Sequence, residues 1–312
     1  MNEHSQIERL YTFLEESTEH LKPYSQHRTL KALNLTWTYL LEDTLEMPLP
    51  QTVLSALKAL KDDIVDETFD KRSMRKACQL MLLKAFKEDR YSNAMMTPDT
   101  MGLLFGYLID KLYPSGLKTI FDPMVGTGNL LAALPQALKD ELFYVGVDDD
   151  PNMIDTATNL MDVLAFNHDF YLQDTLTFET GEYDCIVCDF PIQPVSSNLP
   201  YLPYEVLLKH LHRLTPSGYA LVLIENNFFE QRGKEQFQRA LLKEAHLYGL
   251  IKLDEGMFKQ HPKSVLILKR KLDEAETLDD FLLADLPAFD DYEAFSKTLE
   301  RIELWFAKRK DD

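Results

Sequence analysis

Apolar residues recur three and four apart through the first part of the chain: Ile7, Leu10, Phe13 and Leu14, then Leu33, Trp37, Leu40 and Leu41, then Val53, Leu54, Leu57 and Leu60. That spacing puts each set on one face of a helix. Pro48 and Pro50 separate the second set from the third, and a further helix is predicted from Phe69 to about Phe86. No alternation with a period of two interrupts this stretch. Residues 1–92 are therefore predicted to form an N-terminal helical domain.

The texture changes at Thr97. Thr97 and Pro98 read as the cap and first position of a helix that ends near Pro114, Ser115 and Gly116. Strand-like runs then alternate with helical ones: Thr119–Phe121, Tyr144–Val147, Phe170–Leu172, Tyr183–Cys188, Tyr219–Ile224, Leu250–Leu253 and Val265–Leu268. Such alternation predicts an α/β domain with a mostly parallel sheet over residues 93–271. The last two runs lack a helix between them and are predicted to pair antiparallel at one sheet edge. Residues 272–312 form a tail, acidic at first (Asp273, Glu274, Glu276, Asp279, Asp280) and closing in an amphipathic helix with Phe295, Leu299, Ile302, Leu304 and Phe306.

Chemistry concentrates between Thr119 and Leu131. A short strand leads into Asp122 and Pro123, a tight turn at Gly126, Thr127 and Gly128, and an apolar helical run from Leu130 to Leu134. Strand, glycine turn and helix bring backbone close to a ligand. A dinucleotide site would continue Gly-x-Gly-x-x-Gly, but Leu131 stands at the third position, and no Gly-Lys-Ser/Thr follows for a phosphate loop. The next strand ends in Asp148, twenty positions beyond Gly128, where a carboxylate suits ribose hydroxyls. Asp149 and Asp150 read instead as helix-start residues, with Asp150 capping and Pro151 at the first position. Asp174 follows the third strand, so three successive strand ends carry a carboxylate.

Composition bounds the reading. The 312 residues, 45% hydrophobic, suffice for one large domain and a smaller one. No apolar run reaches the ~20 residues of a membrane span. The N-terminus lacks a signal-peptide pattern. Three cysteines make no disulfide framework, so a cytoplasmic location is expected. Cys185 and Cys188 fall inside a strand and read as buried small hydrophobes. His168, His210, His212 and His261 show no metal-ligand spacing, so no metal is expected. A net charge of −18 disfavours a general nucleic-acid binder. One basic cluster, Lys71, Arg72, Arg75 and Lys76, extended by Lys84, Lys87 and Arg90, is the candidate nucleic-acid contact; a solvated helix face is the alternative.

The segment Asp122–Leu131 resembles the S-adenosylmethionine loop of class I methyltransferases, above all the N6-adenine DNA methyltransferases, including type I restriction modification subunits. The resemblance runs from Asn93 to Lys271 and takes in Thr97-Pro98, residues 144–151, Gln173-Asp174, residues 183–192 and Lys263–Arg270. It implies a Rossmann-like sheet and S-adenosyl-L-methionine as cofactor. Thr97, Asp122, Gly126 and Gly128 would surround the methionine part, Asp148 the ribose and Asp174 the adenine, with Pro123 and Asn129 as further cofactor-binding residues. The family's second motif, Asn/Asp-Pro-Pro-Tyr/Phe, directs a nitrogen lone pair at the methyl group and stacks the base, which is flipped out of a duplex. Here it is Asp189-Phe190-Pro191-Ile192. Asp189 remains an acceptor and Pro191 is retained, whereas Phe190 replaces a proline and Ile192 replaces the stacking ring, forfeiting roughly 1–3 kcal/mol. Phe228 or Phe229 is the candidate substitute ring. The implied activity is N-methylation of adenine N6 in DNA or RNA. Two alternatives stay open: a cofactor-binding, catalytically degenerate homologue with a regulatory or scaffold role, and a protein amide N-methyltransferase. The helical domain is the candidate surface for a homodimer.

Overall fold

The computed structural model describes residues 2–92, 95–138, 141–193, 200–258, 261–273, 276–278 and 280–309. Asn93, Glu274 and Asp279, named above, lie outside these residues. The chain divides into two compact units, one of Met1–Leu103, Val125–Gln136 and Asp148–Leu172, the other of Leu104–Met124, Ala137–Val147 and Gln173–Asp312.

In the first unit, α1 (Glu3–Leu21), α2 (Thr29–Glu42), α3 (Gln51–Asp62) and α4 (Lys71–Asp89) follow the helical periodicity. Leu10, Phe13, Leu33, Trp37 and Leu57 are buried, as their spacing requires, while Leu41 is exposed. Caps set the ends: Asn2 accepts from Ser5 N–H at 2.9 Å and Asp70 from Ser73 N–H at 2.8 Å. α2 has no cap of its own. The Asp89 carboxylate, at the end of α4, accepts from the Thr29 and Leu30 N–H groups, both at 2.9 Å. The same unit holds α7 (Pro151–Val163), capped by Asp150 through Asn152 N–H at 2.8 Å, and β3 (Asn167–Leu172). Asn34 of α2 donates to Thr156 of α7 at 3.1 Å.

The helix after Thr97, α5, runs Asp99–Leu112. Its first bonds go to the Pro98 carbonyl, from Met101 at 2.9 Å and Gly102 at 3.4 Å, so Pro98 and not Thr97 holds the cap position. The Thr97 carbonyl is taken by the Asn129 side chain at 2.5 Å, a long-range bond that local pattern does not show.

Eight strands form one sheet in the order β3-β2-β1-β4-β5-β7-β6-β8, where β1 is Thr119–Asp122, β2 Phe143–Asp148, β4 Tyr183–Asp189, β5 Leu214–Glu225, β6 Ala245–Leu253, β7 Lys263–Arg270 and β8 Leu282–Leu286. β1 runs parallel to β2 and β4, and β4 parallel to β5, whereas β7 is antiparallel to both β5 and β6. Asp122 is in register with Gly146 and Asp189 with Leu223, so these parallel strands end on one edge of the sheet. The expected antiparallel pair is present, but β8 lies outside it, parallel to β6. Sequence pattern predicts no strand in the acidic tail where β8 stands. Its five residues alternate buried and exposed, and α10 (Tyr292–Ala307), with Ile302 and Phe306 buried, packs against it. α8 (Leu202–His210) and α9 (Lys234–Glu244) bury Tyr204, Leu207, Phe237 and Leu241 in the cluster that covers β4, β5 and β7.

Candidate functional site

The glycine turn, in the first unit, is built from backbone that only glycine adopts without strain. Gly126 has φ +52° and Gly128 φ +74°. At Gly128 an added Cβ would meet the Ala157 Cβ at 3.1 Å, so α7 packs directly on the turn. At Gly126 the nearest atom to an added Cβ is Met95 O at 3.9 Å, which leaves ordinary van der Waals space above the backbone. The five residues Asn129–Ala133 that follow form the short helix α6.

Asp148 closes the turn. Its Oδ2 accepts from Gly126 N–H and its Oδ1 from Asp150 N–H, each at 3.0 Å. Burial pushes the Asp148 carboxyl above the ordinary carboxylate range, the two N–H bonds pull it back, and the Asp149 and Asp150 charges add to the rise. A carboxylate has about four lone-pair sites, so two remain for hydroxyl donors after these bonds. Asn129, buried, anchors the turn to Thr97, also buried.

The second unit holds the remaining sequence-predicted residues. Asp122 is buried and accepts from Met124 N–H at 3.0 Å, next to buried Pro123. Asp174 is exposed and caps a short turn through Leu176 N–H at 2.8 Å. Asp189 ends β4. Phe190 is 3% exposed and packs in the same core as Tyr201, Tyr204 and Phe228, which removes both Phe190 and fully buried Phe228 as stacking rings. Phe229 is half-buried against that core. Pro191 is exposed and Ile192 half-buried, lining a cavity of about 370 Å³ with Gln193, Pro200, Leu202, Pro203 and Glu205. Among the described residues its walls offer aliphatic side chains, with Gln193 and Glu205, and no aromatic ring.

Sequence reasoning missed one member. The Lys263 ammonium, from the start of β7, donates to Asp189 Oδ1, and the two side chains are only 5% and 10% exposed. Close by, His261, two residues before β7, contacts Glu225 at the end of β5 at 3.1 Å, and Ser264 donates to Asn226, just past β5, at 2.7 Å. Buried Cys188 faces the same charges: burial first, then Asp122 and Asp189, push its thiol well up, so it is an inert thiol. Cys185 is raised by burial as well. Among the described residues no group of three His, Cys, Asp or Glu could hold a metal ion. No helix among them is long and apolar enough to cross a membrane.

The basic cluster is matched from within its own unit. Arg75 is buried and forms two bonds to Asp99 at 2.7 and 2.6 Å; Arg72 and Lys76 pair with Glu3 at 3.4 and 2.6 Å; Lys71 bonds the Ala165 carbonyl at 3.1 Å over the Phe166 ring. Lys84 pairs with Glu15 at 2.9 Å.

This sheet and its glycine turn have the fold of the class I S-adenosylmethionine-dependent methyltransferases, with an added N-terminal helical region. A class I S-adenosylmethionine-dependent methyltransferase of Listeria monocytogenes, so named provisionally, is similar with 25% identity and a TM-score of 0.85, over 97% of this chain and 99% of that one. The type I restriction-modification methyltransferase subunit of Streptococcus thermophilus shares the fold at 17% identity and a TM-score of 0.59, over 98% of this chain and 74% of that one. Residues 8–86 match the family described as the YtxK N-terminal helical domain. The whole chain is similar to the uncharacterized protein YtxK of Bacillus subtilis (strain 168), 27% identical over 96% of this chain and 98% of that one.

Proposed function

We propose that this chain binds S-adenosylmethionine at the Gly126–Gly128 turn and is an N-methyltransferase whose acceptor is a trigonal nitrogen, adenine N6 in DNA or RNA being the acceptor that the β4 motif implies. The observation that carries the cofactor reading is the Asp148 carboxylate, held by the Gly126 and Asp150 N–H groups beside a turn whose backbone only glycine allows. The cofactor would supply an electrophilic methyl group on sulfur. Asp148 would accept from ribose hydroxyls with its remaining lone pairs, while Asn129 and Thr97 keep the turn in place. Asp189 would accept an N–H of the acceptor and aim the nitrogen lone pair. Neither the nucleic-acid contact at Lys71–Lys76 nor a dimer gains support from the internal pairing of that cluster.

Calorimetric titration with S-adenosylmethionine tests this reading. The native chain is expected to bind, and Asp148→Ala to bind about tenfold more weakly or worse, a loss of ~1.4 kcal/mol. No binding by the native chain would sink the proposal. A second reading, binding without transfer, is favoured by buried Phe190 and by Ile192 in place of a ring. Labelled cofactor incubated with DNA, RNA and cell protein separates the two: transfer to any of them rejects the second reading.

A further inference from the structure

Lys263 begins β7 opposite Glu225, and its side chain crosses β5 to reach the end of β4. The strand fixes its backbone, and the ammonium lies 5.6 Å from the centroid of the Phe258 ring as well as on Asp189. Asp189 is the carboxylate on which an acceptor's amino group would have to hydrogen-bond. A bond from an ammonium to a carboxylate is roughly twice as strong as one between neutral groups. The exocyclic amino group of a base is neutral, so it meets a stronger donor already in place. Displacing that donor would leave an enclosed ammonium without its counter-charge.

We propose that Lys263 is a specificity-determining residue of the acceptor site: its ammonium stands where an acceptor's amino group would bond Asp189, and it keeps neutral amino acceptors off that carboxylate. This rests on Asp189 being the carboxylate of the acceptor side, and it deepens the second reading above, cofactor binding without transfer to adenine N6. Adenosine and inosine report on the contact directly, because the two nucleosides differ in the exocyclic amino group that Asp189 would read. Each is titrated into the full chain saturated with S-adenosylhomocysteine, for the native protein, Lys263→Ser and Lys263→Arg.

Lys263→Ser is expected to bind adenosine at least tenfold more tightly than the native chain, with no gain for inosine. Lys263→Arg, which keeps a cation on Asp189, is expected to behave as native, and S-adenosylhomocysteine affinity is expected to be the same in all three. If Lys263→Ser does not melt cooperatively, Lys263→Gln replaces it, with the same expectation for adenosine. Equal adenosine affinity in the native and uncharged variants would overturn the proposal. So would native discrimination of adenosine from inosine, or methylation of Lys263 itself on incubation with S-adenosylmethionine. Failure of the native chain to bind either cofactor form strikes the proposed function instead, and the nucleoside titrations without cofactor still decide the role of Lys263.

Discussion

Lys263→Met is expected to destabilise the folded chain by roughly 3–5 kcal/mol, the usual cost of stripping one partner from a buried ion pair. The size follows from enclosure, since the Asp189 side chain is only 10% exposed and would be left as a carboxylate without its counter-ion. Replacing both residues removes the problem with the pair. The double variant Lys263→Met/Asp189→Leu is therefore expected to recover most of the loss, because well-packed apolar groups often match or exceed a buried pair in stability. Urea denaturation of the native chain, both single variants and the double variant gives the coupling directly. A single-variant loss below about 1 kcal/mol would put the pair in the class of solvated surface bridges.

Stability is expected to fall by roughly 3 kcal/mol between pH 6.5 and pH 4 through one histidine, since each tenfold change in proton affinity is worth about 1.4 kcal/mol. His210 is 1% exposed, at the end of α8. Burial is the main cause that lowers its pKa to about 4, against the Thr175 carbonyl, which favours the charged form, and with Arg213 and Lys209 adding to the drop. Its Nε2 lies 3.0 Å from that carbonyl, so Nε2 carries the proton, while Nδ1 is buried without a hydrogen-bond partner. A second proton would have to sit on Nδ1, which has no acceptor, in an imidazole packed against the Phe121 ring with centroids 5.1 Å apart. The sign follows. Below about pH 6.5 the unfolded chain takes up a proton that the folded chain refuses, so stability drops with falling pH until the folded pKa near 4 is passed. His210→Gln is expected to flatten this part of the stability profile measured by denaturation from pH 7 to pH 4. An unchanged slope in that variant would assign the loss to other groups.

Local patterns in the chain were enough for most of the elements. Helical spacing located α1 to α4, and the strand, turn and short helix at 119–133 stand where the residues placed them. Asp150 and Pro151 start α7 as capping rules require. What escaped was set by partners far away in sequence. β5 begins at Leu214 and β6 at Ala245, five residues ahead of the apolar runs that announced them, because Pro216, Gly218 and Gly249 break the alternation where each ladder shifts register. β8 is only five residues long and follows an acidic stretch, so its pairing with β6 supplies the evidence that its composition lacks. The same holds at the site. Asp148 and the glycine turn are legible because each stands at the end of its own strand. Lys263 reaches Asp189 across 74 positions and an intervening strand, a relation no spacing rule contains. The basic run on α4 resembles a binding face in isolation, but Glu3 and Asp99, from distant parts of the same unit, pair with three of its cations.

The cap of α2 has a consequence for the order in which the chain can mature. The first two amides of α2 that Asp89 accepts from are made about sixty residues before the carboxylate that satisfies them. A ribosome therefore releases α1, α2 and α3 while that helix end still has only water for a partner. It can be locked only when the far end of α4 has emerged and turned back. A fragment cut at residue 86, where the helical family match stops, would carry every apolar contact face of the first three helices yet lack this latch. Such a fragment should fray at α2 first, and the intact chain should acquire protection there last, as a single late event.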